Sequence, residues 1–267
     1  MLGWGCVAWR WPGCGGHKSG CHSRCRCWRL LELCGVLYNA AVKCLVLASG
    51  FGTRLYPLTI DRAKALLEYR GKPVLTHIVE RVPDNVEVFV CCNRKFEADF
   101  RNWQNGLGRR VEICVEDVWT EEQKKGAIGS LNFWVIEKNF ADDLLVIAGD
   151  NYFEFDLSRF IAAYDGRNAL VAVHDIGDRR KATGFGVVRL EGGRIIEFEE
   201  KPSEPKSSLV ATAVYVLPPR IFPVLSHYHA TGERDNLGSF IAYLVQRDEV
   251  RAFVFSEAWL DIGAVFQ

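Results

Sequence analysis

The sequence predicts an α/β fold: a Rossmann-like single domain over residues 42–267, with a mixed, mostly parallel sheet flanked by helices. Three observations predict it. Between residues 42 and 150, short apolar or β-rich runs alternate with helical stretches, the order that builds a parallel sheet. After residue 150 strands follow one another more directly, and the "EGGR" turn at 191–194 joins two of them as a hairpin, so the second half is mixed. No internal repeat and no tract rich in Pro, Gly or Ser separates the halves.

Each element has its own warrant. "VKCLVLA" (42–48) is apolar throughout except for Lys43 and reads as a buried strand. In "KPVLTHIVERV" (72–82), Val74, Leu75, Ile78, Val79 and Val82 recur at helical spacing. "NVEVFVCC" (85–92), "VEICVED" (111–117) and "DLLVIAGD" (143–150) are further strands, and "GAIGSLNFWVIEKN" (126–139) is a helix burying Ala127, Ile128, Leu131, Trp134 and Val135. "ALVAVHDI" (169–176), "GFGVVRLEGGRIIEFEEKP" (184–202), "SSLVATAVYVL" (207–217) and "VRAFVFSEAWLDI" (250–262) supply the later strands.

Composition narrows the function classes. The 33 basic and 33 acidic residues cancel, so no global field favours nucleic acid, and any polyanion must be held by a few local groups. No apolar run approaches the roughly 18 residues that span a bilayer, and the start is too broken for a signal peptide; the expected location is cytoplasmic, with no membrane partner. Six of the ten cysteines fall in the first 34 residues. His17, Cys21, His22, Cys25 and Cys27 offer a zinc reading without paired C-x2-C spacing. The better reading makes residues 1–41 a disordered extension or a mis-assigned start, with translation beginning near Val42.

Ligands of such sheets gather at the carboxyl ends of the strands, and "ASGFGTR" (48–54) and "AGD" (148–150) stand at two of them. Gly50 and Gly52 let backbone N–H groups approach a phosphate, and Arg54 adds a permanent cation able to bind it through two bonds. The same loop also reads as a plain turn. It is neither G-x-G-x-x-G, since Leu55 holds the third glycine's place, nor a Walker loop, which needs a lysine. Ten residues on, Lys64 offers a second cation to the same anion.

"LASGFGTRLYPLT" and "AKALLEYRGKPVL", followed in order by "EEQKKGAIGSL", "AGDN", "GFGVV", "FEEKP", "ATAVY" and "WLDIG", resemble the signature of the sugar-phosphate nucleotidyltransferases. The resemblance covers residues 42–263 and implies the nucleotide-diphospho-sugar transferase type of fold. It also implies a reaction: a sugar 1-phosphate attacks the α-phosphorus of dTTP or UTP, giving a nucleotide sugar and pyrophosphate. The nucleophile is already anionic, so catalysis reduces to charge neutralisation and alignment. The implied partners are a nucleoside triphosphate and a sugar 1-phosphate, glucose 1-phosphate foremost, with Mg²⁺ as cofactor and a homo-oligomer as the frequent assembly.

By the same resemblance Asp150 and Asp261 bind the metal, and Arg54, Lys64 and Lys201 complete the catalytic set. Ala48, Ser49, Gly50, Gly52, Thr53, Arg54, Lys64 and Gly126 hold the nucleotide. Gly186, Glu200, Lys201 and Thr212 hold the sugar phosphate. Each has a plainer reading: a turn for the aspartates, a solvated charge for the cations, a helix cap for Gly126. Ser49 replaces the family's usual Gly or Ala, Ala63 and Glu68 replace prolines, and Gln123 lies near, without matching, the family's pyrimidine-reading glutamine. Uracil and thymine differ by one methyl, about 1 kcal/mol in a pocket. The chain also ends sooner than the family pattern, so an incomplete C-terminus is expected. Two other readings stand beside this one: a silent relative that binds nucleotide or sugar phosphate as a regulator, and a redox enzyme, which lacks the third glycine and a ribose-binding acid.

Overall fold

The computed structural model describes residues 42–231 and 234–265; the zinc reading and the proposed mis-assigned start lie outside them. The first half runs β1 (Lys43–Leu47), β2 (Glu68–Tyr69), β3 (Lys72–Pro73), α1 (Val74–Arg81), β4 (Glu87–Asn93), α2 (Glu97–Asn105), β5 (Glu112–Glu116), α3 (Ala127–Glu137) and β6 (Leu144–Ala148). Then come β7 (Asn151–Phe153), α4 (Leu157–Ala162), β8 (Ala169–Asp175), β9 (Gly186–Glu191), β10 (Arg194–Glu200), β11 (Leu209–Leu217), α5 (Phe222–Thr231), α6 (Leu237–Val245), β12 (Val250–Phe255), β13 (Trp259–Asp261) and α7 (Ile262–Val265).

Nine strands form one sheet in the order β5-β4-β1-β6-β11-β8-β12-β10-β9. β1 pairs in parallel with β4 and β6, and β4 with β5. β11 then runs antiparallel between β6 and β8, and β9 and β10 form the expected antiparallel hairpin. The sheet is thus parallel in its first half and mixed in its second, as the sequence predicts.

Both faces are covered, which explains the uninterrupted apolar strands. Cys44 and Val46 of β1 enter one core with α1, α2 and α4, whereas Leu45 enters the other with α3, α5 and α6. Val74, Leu75, Ile78 and Val79 make the buried stripe of α1. That helix starts only at Val74, because Lys72 and Pro73 pair with Tyr69 and Glu68 in a small hairpin.

One predicted strand divides. "VRAFVFSEAWLDI" becomes β12 in the main sheet and β13, which pairs with β7 instead. The Trp259 indole N–H donates to Asn151 Oδ1 at 3.0 Å, and the register sets Asn151 opposite Asp261. The division carries Asp261 from the sheet to the neighbourhood of Asp150. No helix among the described residues is long and apolar enough to cross a membrane.

Candidate active site

The loop after β1 is rigid where it meets protein and open where it does not. Asn93, fully buried, donates through Nδ2 to Ser49 O at 3.0 Å and accepts from Phe96 N at 3.1 Å. Thr59 Oγ1 donates to Gly52 O at 2.8 Å. Gly52 has φ +67°, the left-handed region that favours glycine, and starts the single 3-10 turn over Thr53–Leu55 that carries Arg54. A Cβ added at Gly50 would meet nothing within 4 Å. Arg54 is exposed and makes no salt bridge or side-chain hydrogen bond with the described residues.

Gly149 brings the second strand end against this loop. Its N–H donates to Leu47 O at 2.8 Å, and a Cβ there would sit 2.8 Å from Ala48 Cβ, so only glycine lets "AGD" pass this close. The next residue, Asp150, accepts from Lys64 Nζ at 2.6 Å, and Asp261 Oδ1 lies 3.8 Å from the same ammonium. The Gly263 N–H donates to Asp261 Oδ1 at 2.7 Å. Burial, and then the charge of Asp150, push the Asp261 carboxyl above its ordinary range, while Lys64 pulls it back. Two carboxylates converging on one cation, with no cluster of three His, Cys, Asp or Glu side chains among the described residues, fit a hard divalent ion that takes its remaining oxygens from substrate and water.

The opposite wall comes from the hairpin. Lys201, just past β10, adopts φ 46° and donates its N–H to Phe185 O at 3.0 Å; it is exposed and makes no salt bridge among the described residues. Glu200 is held in place: Asn236 Nδ2 donates to its Oε1 at 2.7 Å, and a Cβ on Gly238 or Gly186 would come within 1.8 or 3.0 Å of its Oε2. Thr212 is placed elsewhere. Its hydroxyl donates to Ala172 O at 3.1 Å in the core, and its carbonyl accepts from Asn151 Nδ2 at 2.7 Å.

A cleft of about 600 Å³ has Arg54, Lys64, Gly126, Asp150, Lys201 and Asp261 in its walls alongside residues 48–53, whereas Gly186, Glu200 and Thr212 are not among its lining residues; Glu200 lies behind the wall, next to the lining residues Lys201 and Asn236. Gly126 has φ +76°, and a Cβ would lie 2.4 Å from both Arg234 O and Asp235 Oδ1; it caps α3 and faces the cleft at once. Gln123 is otherwise engaged, accepting through Oε1 from Trp119 N at 2.9 Å.

The structure adds residues that sequence reasoning missed. Asn93, Thr59 and Asn236 position the loop and Glu200, and none carries a spacing that announces it. Lys124 lines the cleft and bridges Glu121 at 2.8 Å and Asp235 at 3.3 Å. Behind Ser49 lies Glu116, 2% exposed, accepting from the Trp134 indole at 3.1 Å. Burial pushes its carboxyl up, and bonds to the Ser130, Trp134 and Ser49 side chains hold it back. The Ser49 and Ser130 hydroxyls are 3.1 Å apart.

A model of the nucleotidyl transferase family matches residues 43–266. The chain is 31% identical over 225 residues to the bifunctional protein GlmU of Methanocaldococcus jannaschii, covering 82% of this chain and 50% of that one. It is 33% identical over 186 residues to the UTP–glucose-1-phosphate uridylyltransferase AglF of Haloferax volcanii, covering 68% and 74%. A solved Bacillus anthracis structure, provisionally described as a glucose-1-phosphate thymidylyltransferase in complex with sucrose, superposes with a TM-score of 0.73 at 26% identity, over 84% of this chain and 90% of that one. The chain thus spans only half the length of the first of these relatives.

Proposed function

The chain belongs to the nucleotidyl transferase family, and from that premise we propose that it condenses a nucleoside triphosphate, UTP or dTTP, with glucose 1-phosphate, releasing pyrophosphate. One observation carries the reading: three cations, Arg54, Lys64 and Lys201, and the Asp150–Asp261 pair all line one cleft between two strand ends. The names of the Haloferax volcanii and Bacillus anthracis proteins support glucose 1-phosphate and a pyrimidine nucleotide; a Sulfolobus acidocaldarius relative, 28% identical, is named for mannose 1-phosphate and a guanyl group instead, so the substrate panel includes both.

The residues divide the work. Gly50 leaves room for the triphosphate, loop N–H groups and the Thr53 hydroxyl donate to its oxygens, and Arg54 offsets its charge. Lys201 holds the sugar phosphate opposite, and Glu200 accepts hydrogen bonds from sugar hydroxyls. Asp150 and Asp261 would hold Mg²⁺, which supplies Lewis-acid neutralisation of the α-phosphate when bound. Lys64 stabilises the charge that grows on the α-phosphate oxygens in the transition state. No side chain need remove a proton, because the attacking phosphate oxygen is already ionised. Ser49 and Gly126 would line the base.

The test is pyrophosphate release by the full chain with Mg²⁺, each of dTTP, UTP, GTP, CTP and ATP, and a panel of sugar 1-phosphates that includes mannose 1-phosphate. Release with a uridine or thymidine triphosphate and glucose 1-phosphate is expected. Binding of both without release by any pair would instead establish the silent, regulatory reading.

A further inference from the structure

We propose that Lys64 is the resident cation of the Asp150–Asp261 pair, and that metal binding there expels its ammonium into the cleft, toward the triphosphate. The inference rests on the metal reading of those two aspartates. Lys64 Nζ is 2.6 Å from Asp150 Oδ2 and 3.8 Å from Asp261 Oδ1, so it already stands between the two carboxylates. A Mg²⁺ held at about 2.0–2.1 Å from carboxylate oxygens and an ammonium on the same oxygens would be near neighbours of like charge, in a place where only 16% of the lysine side chain is exposed.

Glycines make room for the lysine stem where it lies. A Cβ on Gly263 would lie 2.6 Å from Lys64 Nζ and 3.4 Å from its Cε, and one on Gly52 would lie 3.2 Å from its Cβ. Two glycines therefore flank the lysine stem, at its root and at its tip. Lysine suits the exchange better than arginine, because a compact ammonium on a flexible four-carbon stem keeps its three donors in any orientation. Its destination is set by the ligand: Arg54, a like charge, and the open loop at Gly50 share the cleft with it, and an arriving triphosphate offsets that repulsion and offers the ammonium new acceptors.

Two consequences follow. Metal alone must break the Lys64–Asp150 ion pair, whereas metal arriving with triphosphate does so while the ammonium gains phosphate oxygens. Each ligand therefore strengthens the other through Lys64, beyond any direct bond between them, and by the same factor in both directions.

The experiment is a Mn²⁺ titration of the full-length protein, without nucleotide, followed by electron paramagnetic resonance. Lys64→Met, neutral and of similar length, is expected to bind Mn²⁺ roughly tenfold or more tightly than wild type, the scale of one charge-assisted hydrogen bond. Asp150→Asn should lose Mn²⁺ binding. A Lys64→Met protein that binds Mn²⁺ no more tightly than wild type overturns the exchange while leaving the metal pair intact; Mn²⁺ binding unchanged in Asp150→Asn removes the pair as the metal's place, and the exchange with it. In wild-type protein, Mg²⁺ alone is expected to raise acetylation of Lys64 by an amine reagent, read by mass spectrometry. Unchanged labelling at saturating Mg²⁺ also overturns the proposal, and this measurement does not depend on how the variants fold.

Discussion

The open loop of the cleft and the packing behind its opposite wall use glycine for opposite reasons. On the nucleotide side, a side chain at Gly50 would point into open space: the protein leaves a gap that only a ligand fills. On the sugar side, a side chain at Gly238 would land 1.8 Å from Glu200 Oε2: the gap is already filled by the residue proposed to read the sugar. The same contrast holds for the polar groups. Arg54 stands exposed without a salt bridge among the described residues, whereas Glu200 is tied to Asn236. Arg54, like Lys201 opposite, waits for the charge of its ligand; the Glu200 carboxylate is set in place before its ligand arrives.

The largest expected effect tests that carboxylate. Glu200→Gln keeps the volume but removes the charge that accepts from sugar hydroxyls, and is expected to lower kcat/KM for the sugar phosphate by roughly 10-fold to 100-fold, the scale of a hydrogen bond to a charged group. The Kd for nucleoside triphosphate should stay within about twofold, below the scale of one lost hydrogen bond. Equal losses for both substrates would erase the distinction between the two sides.

Next comes the paired exchange of glycines. Gly238→Ala forces a methyl against Glu200 at the start of α6 and is expected to destabilise the fold by about 1–3 kcal/mol, as overpacking does, measured by urea unfolding. Gly50→Ala, with no protein atom in its way, is expected to leave the urea midpoint unchanged and to raise only the KM for triphosphate. A stability loss at Gly50 matching that at Gly238 would break the comparison outright.

The smallest effect concerns the buried group behind the open loop. Burial raises the Glu116 carboxyl above its ordinary value, so folding favours its protonated form. That stability is fully present below the ordinary glutamate pKa and is lost as pH climbs through the raised value. Glu116→Gln is expected to reduce the downward slope of Tm with rising pH above about 4.5, starting at the ordinary value. A slope unaltered by the substitution would show that Glu116 does not titrate in that window.

Much of the architecture was legible because it follows from local periodicity. The apolar run of β1 after Lys43, the 3–4 spacing in α1 and α3, and the "EGGR" turn each reflect a nearby constraint. Of the other helices, α6 carries the same spacing in Leu237, Phe240, Ile241 and Leu244, whereas α2 does not. In α2 only Phe100 is buried, and an apolar stripe of one residue has no period to detect. In the site, the charged groups could be nominated from motif order, but their supports could not. Asn93 and Thr59 act on Ser49 and Gly52 through backbone carbonyls 44 and seven residues away, and such contacts leave no pattern in the chain.

The sequence by itself determined the alternation of elements, the glycine-bearing loop with Arg54, and the types of charge available to a phosphate ligand, because each depends on residues adjacent along the chain. Only the tertiary structure decided that "VRAFVFSEAWLDI" breaks so that Asp261 leaves the main sheet for Asp150, that Thr212 turns into the core, and that Lys64 already occupies the space between the two aspartates. The reason is physical: pairing and packing between distant segments set those positions, and the energy of an ion pair or a hydrogen bond depends on separation in space, which the order of residues does not record.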